Sequence, residues 1–238
     1  MFFPFLDPRY IMFVGPALLL ALYAQWRVSS TYRKYSDIRN AQGLTGADVA
    51  RVLMRSEGLG HVGVELTPGM LTDHYDPRGK VIRLSEGSAA VPSVAAMAIV
   101  AHELGHAVQD KQGYFWLQLR SGIVGVANIG SQLGTVLFFI GIALAAMTRG
   151  AGIGIAWAGV LLMGAAVIFT LVTLPVEFNA SARARDMLAR NGLLTNQEAA
   201  GVSEMLNAAA LTYVAGAAQA VMQLLYWITL LTGVSRRQ

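Results

Sequence analysis

Residues 121–148, SGIVGVANIGSQLGTVLFFIGIALAAMT, and residues 150–176, GAGIGIAWAGVLLMGAAVIFTLVTLPV, are two charge-free stretches separated only by Arg149. A helix needs about 20 apolar residues to span the hydrocarbon of a bilayer, and each stretch exceeds that length. With only Met147-Thr148-Arg149-Gly150 to turn in, they are predicted to form a tight antiparallel hairpin whose outer ends return to the same side of a membrane. Small residues four apart, Gly130 with Gly134 and Gly154 with Ala158, permit close helix contact.

Outward from the hairpin lie two more charge-free windows, 10–26 and 205–235. The first is only 17 residues long and contains Pro16, but it closes on Trp26 and Arg27, an aromatic-then-basic ending suited to a membrane interface. It reads as a retained anchor. A cleaved signal would carry positive charge where Phe2 to Leu6 is apolar. Composition agrees: of 238 residues 55% are hydrophobic and 13% charged, against roughly 25% charged in soluble proteins. The chain has no cysteine, which excludes disulfides, iron–sulfur clusters and Cys-ligated zinc, and leaves His, Asp and Glu as the strong metal ligands. Its net charge of +4 comes from 18 basic against 14 acidic residues, with no basic run longer than Arg33-Lys34 or Arg236-Arg237. That surplus points to membrane topology and not to a nucleic-acid partner.

Charges concentrate in 27–120 and 177–204. Arg27, Arg33, Lys34 and Arg39 follow the first span and only Arg9 precedes it, which by the positive-inside rule places both polar segments in the cytoplasm. Arg236 and Arg237 then fall outside, so either the rule is overridden there or the last segment does not cross fully. The expected organisation is a membrane anchor (1–26), a soluble segment (27–120), a transmembrane hairpin (121–176), a cytoplasmic helical segment (177–204) and a C-terminal hydrophobic helix with its tail (205–238).

Within the first polar segment, Thr45-Gly46-Ala47-Asp48 is a capping-box variant, and Val49, Val52 and Leu53 with Gly58 beyond predict a short amphipathic helix. Val62, Val64 and Leu66 alternate, and Val81, Ile82 and Leu84 follow the turn-forming Asp76-Pro77-Arg78-Gly79, so 61–85 read as a small antiparallel sheet. After Pro92 and Ser93 the uncharged run Val94 to Ala101 is too short to span and predicts a buried helix running to about Gln112.

That helix carries His102-Glu103-Leu104-Gly105-His106. Positions i and i+4 lie on one helical face, so two imidazoles can grip one zinc ion while Glu103 sits close enough to activate a water. With 4 His and 7 Glu in the chain, such a pentapeptide arises by chance roughly 0.002 times. A catalytic zinc keeps three protein ligands, so a third is required. Glu177 is the first charged residue after the hairpin, at interface depth where an unpaired carboxylate is costly. Pro175 before it suits the first turn of a new helix. His74, in Asp73-His74-Tyr75-Asp76, is the rival ligand or a group that meets substrate; His61, beside a turn, reads as solvated.

The blocks Thr45 to Arg51, Leu71 to Arg78, Ile82 to Ser85, Ser93 to Ala96, His102 to His106 and Pro175 to Phe178 together resemble the YugP-like membrane zinc metallopeptidases, the neutral zinc metallopeptidase family of bacteria, over nearly the whole chain. The resemblance implies a mainly α integral membrane protein of about four transmembrane helices with a zincin-like soluble portion, distantly similar to HtpX-type and prenyl-protein proteases. It also implies a bacterial inner-membrane location and a glutamate on a downstream helix as third zinc ligand; the matching position is Glu177. In the family the block after that glutamate reads Phe-Asp-Ala-Ser, whereas this chain has Asn179 where the Asp stands. An amide there can still hydrogen-bond a histidine ring N–H.

The expected activity is zinc-dependent endopeptidase cleavage of unfolded or membrane-associated polypeptides, with Glu103 as general base. His74, Tyr75, Asn179 and Arg183 are the nearest polar groups for stabilising an oxyanion, His74 foremost. The strand around Arg83 to Ser85 is expected to pair with an extended substrate. The alternative is a non-catalytic membrane protein whose site binds zinc structurally or senses it, which a fourth ligand would favour. A transporter is disfavoured because the four windows hold no ionisable residue of the Asp, Glu, Lys, Arg or His types.

Overall fold

A computed structural model describes residues 7–148 and 152–235, so Arg149 at the hairpin turn and Arg236 and Arg237 in the tail lie outside the described residues. The elements run α1 (Pro8–Ser36), α2 (Gly46–Ser56), β1 (Gly63–Thr67), β2 (His74–Asp76), β3 (Val81–Ser85), α3 (Glu86–Ala90), α4 (Val94–Lys111), α5 (Phe115–Met147), α6 (Ile153–Arg190) and α7 (Asn196–Ser235). Four of the helices, α1, α5, α6 and α7, are long and apolar enough to cross a membrane. Ile11, Leu19, Val126, Ile129, Leu161 and Ile168 on them are exposed, as lipid-facing side chains must be.

The chain divides into two compact units. One comprises Met1–Tyr23, Leu119–Leu174 and Tyr213–Gln238. Its core gathers Val14, Phe138, Ala156, Val160, Tyr226 and Trp227, with the Phe138 and Trp227 rings 4.6 Å apart. Here α5 and α6 approach through small residues, because a Cβ on Gly134 would lie 2.7 Å from the Gly159 carbonyl oxygen. Gly130 takes part in this packing, but Gly154 faces open space, and Ala156 and Gly159 take the role expected of it.

The other unit comprises Ala24–Gln118 and Pro175–Thr212. There the start of α2 is capped as the sequence predicts: the Thr45 hydroxyl accepts from Asp48 N and the Asp48 carboxylate accepts from Thr45 N, which satisfies two orphan donors of α2. Ser93 caps α4 by accepting from Ala96 N. The α4 helix is buried on nearly every side from Val94 to Gln109 and packs against α2, α3, β2 and β3.

Three details correct the expectations. The sheet is mixed, in the order β1-β3-β2, with β1 parallel and β2 antiparallel to β3. Alternation alone does not give strand order, and Val64 and Leu66 alternate on an exposed edge strand. The buried strand β3, which contains Arg83 to Ser85, is central and paired on both sides, so no extended substrate can add to it. Finally, Pro175 does not start a helix but lies inside α6. Continuing through the proline forfeits one helical hydrogen bond, whereas breaking the helix in apolar surroundings would strand several backbone groups.

Candidate metal centre

On α4 the one-turn spacing sets the His102 and His106 rings edge to face, centroids 4.8 Å apart. Glu177, on α6, lies opposite: its Oε2 is 3.2 Å from His102 Nε2 and 3.5 Å from His106 Nε2. The three ligand atoms all fall within 4.8 Å of one another, and among the described residues this is the group able to hold a metal ion. Two imidazole nitrogens and one carboxylate oxygen, nearly buried, are a donor set that suits zinc.

Gly105 makes the meeting of the two helices possible. A Cβ there would lie 2.6 Å from the carbonyl oxygen of Ala180 on α6, closer than real Cβ contacts come. Gly105→Ala is therefore expected to push α4 and α6 apart by a few tenths of an ångström and weaken zinc binding about tenfold, with helix content unchanged by circular dichroism. Wild-type zinc affinity in that variant would show that the close approach does not set the site.

Behind these three side chains lies a further set of hydrogen bonds. Gln109, fully buried one turn beyond His106, places Oε1 3.0 Å from His106 Nδ1. Its Nε2 donates to the Val176 carbonyl at 2.8 Å and to Asn179 Oδ1 at 3.0 Å, and Arg183 Nε donates to the same Asn179 oxygen at 2.7 Å. Ser181 Oγ lies 3.3 Å from His102 Nδ1. The amide at position 179 thus reaches a histidine through Gln109 and not by direct contact. Burial disfavours a charged His106 ring, yet the facing Glu177 carboxylate outweighs it and raises the pKa above the usual histidine value, with Glu103 adding to the effect. The pocket favours positive charge, which is what a cation requires.

Glu103 is buried beside this group, and its carboxylate makes no hydrogen bond or ion pair among the described residues. The remaining sequence candidates are elsewhere in their bonding. Tyr75 donates its hydroxyl to Asp110, which also pairs with Lys80, and so ties β2 to the end of α4. Burial first, and then the Asp110 carboxylate, push the Tyr75 phenol well above its ordinary range, so it stays protonated. His74 is exposed on β2 and donates Nδ1–H to the Thr72 carbonyl at 2.9 Å; it is not among the ligand group. His61 is exposed in a turn. The sequence assigns no role to Gln109, Ser181 or Gly105, although Gln109 stands three residues after His106, on the same helical face.

Comparison with known proteins gives the site a context. The chain is 42% identical over 219 residues, 92% of this chain and 95% of the relative, to the "Putative membrane protease YugP" of Bacillus subtilis (strain 168). No solved structure matches. The family model described as "Putative neutral zinc metallopeptidase" matches residues 10–232. Zinc is the metal of that family, and His102, His106 and Glu177 form the group here that can bind it. Since that model spans nearly the whole chain, the protein belongs to the neutral zinc metallopeptidase family.

Proposed function

We propose that the protein is a membrane zinc endopeptidase that cleaves unfolded or membrane-associated polypeptides on the cytoplasmic side of a bacterial inner membrane. The observation that carries this reading is the three-ligand group of His102, His106 and Glu177 with the uncommitted carboxylate of Glu103 beside it. Structural zinc sites are closed by four protein ligands; three leave a position for water, which supports an enzyme over a structural or sensory site. Zinc, when bound, supplies Lewis-acid polarisation and lowers the pKa of a coordinated water towards about 7. His102, His106 and Glu177 hold the metal, and Glu103 takes a proton from the attacking water and delivers it to the leaving amine.

Arg27, Arg33, Lys34 and Arg39 after the first span support the cytoplasmic placement of 27–120 and 177–204. Because β3 is paired on both sides, an extended substrate in this reading pairs with the open edge of β2, the edge strand that packs against α4. His74 lies on that edge. The Thr72 carbonyl holds the ring in place by accepting from Nδ1–H. His74→Ala is expected to leave zinc content unchanged and lower kcat about tenfold, the size of one exposed hydrogen bond at about 1.4 kcal/mol. Loss of zinc in that variant would instead make His74 a ligand.

The test of the whole reading is zinc content, together with cleavage of unfolded casein, for the purified full chain in detergent. Bound zinc with cleavage that disappears on chelation and returns with added zinc is the expected result. A chain that takes up no zinc would overturn the site.

A further inference from the structure

Resting on the reading of His106 as a metal ligand, we infer that Arg183, Asn179 and Gln109 form a hydrogen-bond network, converging on the Asn179 side-chain oxygen, that fixes the tautomer of His106 and aims its Nε2 lone pair at the metal position. The direction of each bond is set by groups that have no choice. A guanidinium only donates, so the atom of Asn179 that faces Arg183 Nε at 2.7 Å is its oxygen. That oxygen also faces the Gln109 side chain at 3.0 Å, so the Gln109 atom there is the nitrogen. The main-chain carbonyl of Val176, which only accepts, demands the same nitrogen independently at 2.8 Å. Gln109 Oε1 is therefore left facing His106 Nδ1 at 3.0 Å, and Nδ1 must carry the proton. A neutral ring protonated at Nδ1 has its lone pair on Nε2, the nitrogen that faces Glu177. Arg183 is itself steadied 5.9 Å over the Tyr114 ring.

These are positioning residues; none of the three is in the ligand group. Their effect is legible in metal affinity, measured on the full chain in detergent by competition with a chromophoric chelator. Gln109→Leu leaves a buried N–H unpaired and should weaken zinc binding about 10- to 100-fold. Asn179→Leu removes the shared acceptor and should weaken it several-fold to about tenfold, while Asn179→Asp keeps the acceptor and should bind as the wild type does. Packing alone predicts the opposite order, because Leu suits a half-buried site better than a charge. Should Gln109→Leu not fold, the two half-buried Asn179 variants decide the question. Equal zinc affinity in wild type and all variants overturns the network and leaves the site reading intact. A wild type without zinc overturns both.

Discussion

Glu103→Gln is expected to keep its zinc and lose about 10²- to 10⁴-fold in kcat, the contribution of a positioned general base. The amide is nearly the same size, and no ligand atom depends on Glu103 for a hydrogen bond among the described residues. What changes is the ability to accept a proton, since an amide oxygen is a far weaker base than a carboxylate. One side effect has the opposite reach. The Glu103 charge helps hold positive charge at His106, so removing it should weaken zinc binding, but only slightly beside the direct contact of Glu177. The measurement is zinc content together with turnover of an unfolded substrate for both forms. Retained zinc with unaltered turnover would sink the assignment of Glu103 and favour a site in which zinc is merely structural.

The sequence is most legible where chemistry and helical geometry coincide. His102 and His106 announce themselves because i and i+4 share a face whatever the tertiary structure. Glu177 is the first charged residue after two charge-free windows whose four-residue turn predicts a return to the same side, and on α6 its carboxylate lies opposite His102 of α4. The site's support is not legible in that way. Gln109 is an ordinary polar residue until α6 is seen to supply Val176 and Asn179 to it, and Gly105 looks like a helix-weakening residue until Ala180 is seen to press on it. Pairing order in the sheet is likewise a tertiary property. Val64 and Leu66 have the alternation of a half-buried strand yet lie on an exposed edge, while the buried centre is the later strand β3.

Removing the carboxylate proposed as the third ligand would be the severest change the site can suffer. Glu177→Ala is expected to weaken zinc binding by more than about 100-fold and to abolish cleavage, since even supporting groups around a metal are worth 10- to 100-fold. Two imidazoles remain, but with no carboxylate opposite them they lack both a donor atom and the negative charge that makes this buried pocket favourable to a cation. A readout independent of turnover separates this from a damaged fold. Zinc binding raises the melting temperature of any chain that binds it only when folded, in proportion to RT ln(1 + [Zn]/Kd). The wild type should therefore melt higher with zinc than with chelator, and Glu177→Ala should melt at one temperature in both. Glu177→Gln, which keeps a neutral oxygen in place, should fall between the two. If Glu177→Ala shifted with zinc as the wild type does, the third ligand would have to be sought elsewhere, and the approach of α6 to α4 at Gly105 would be packing alone.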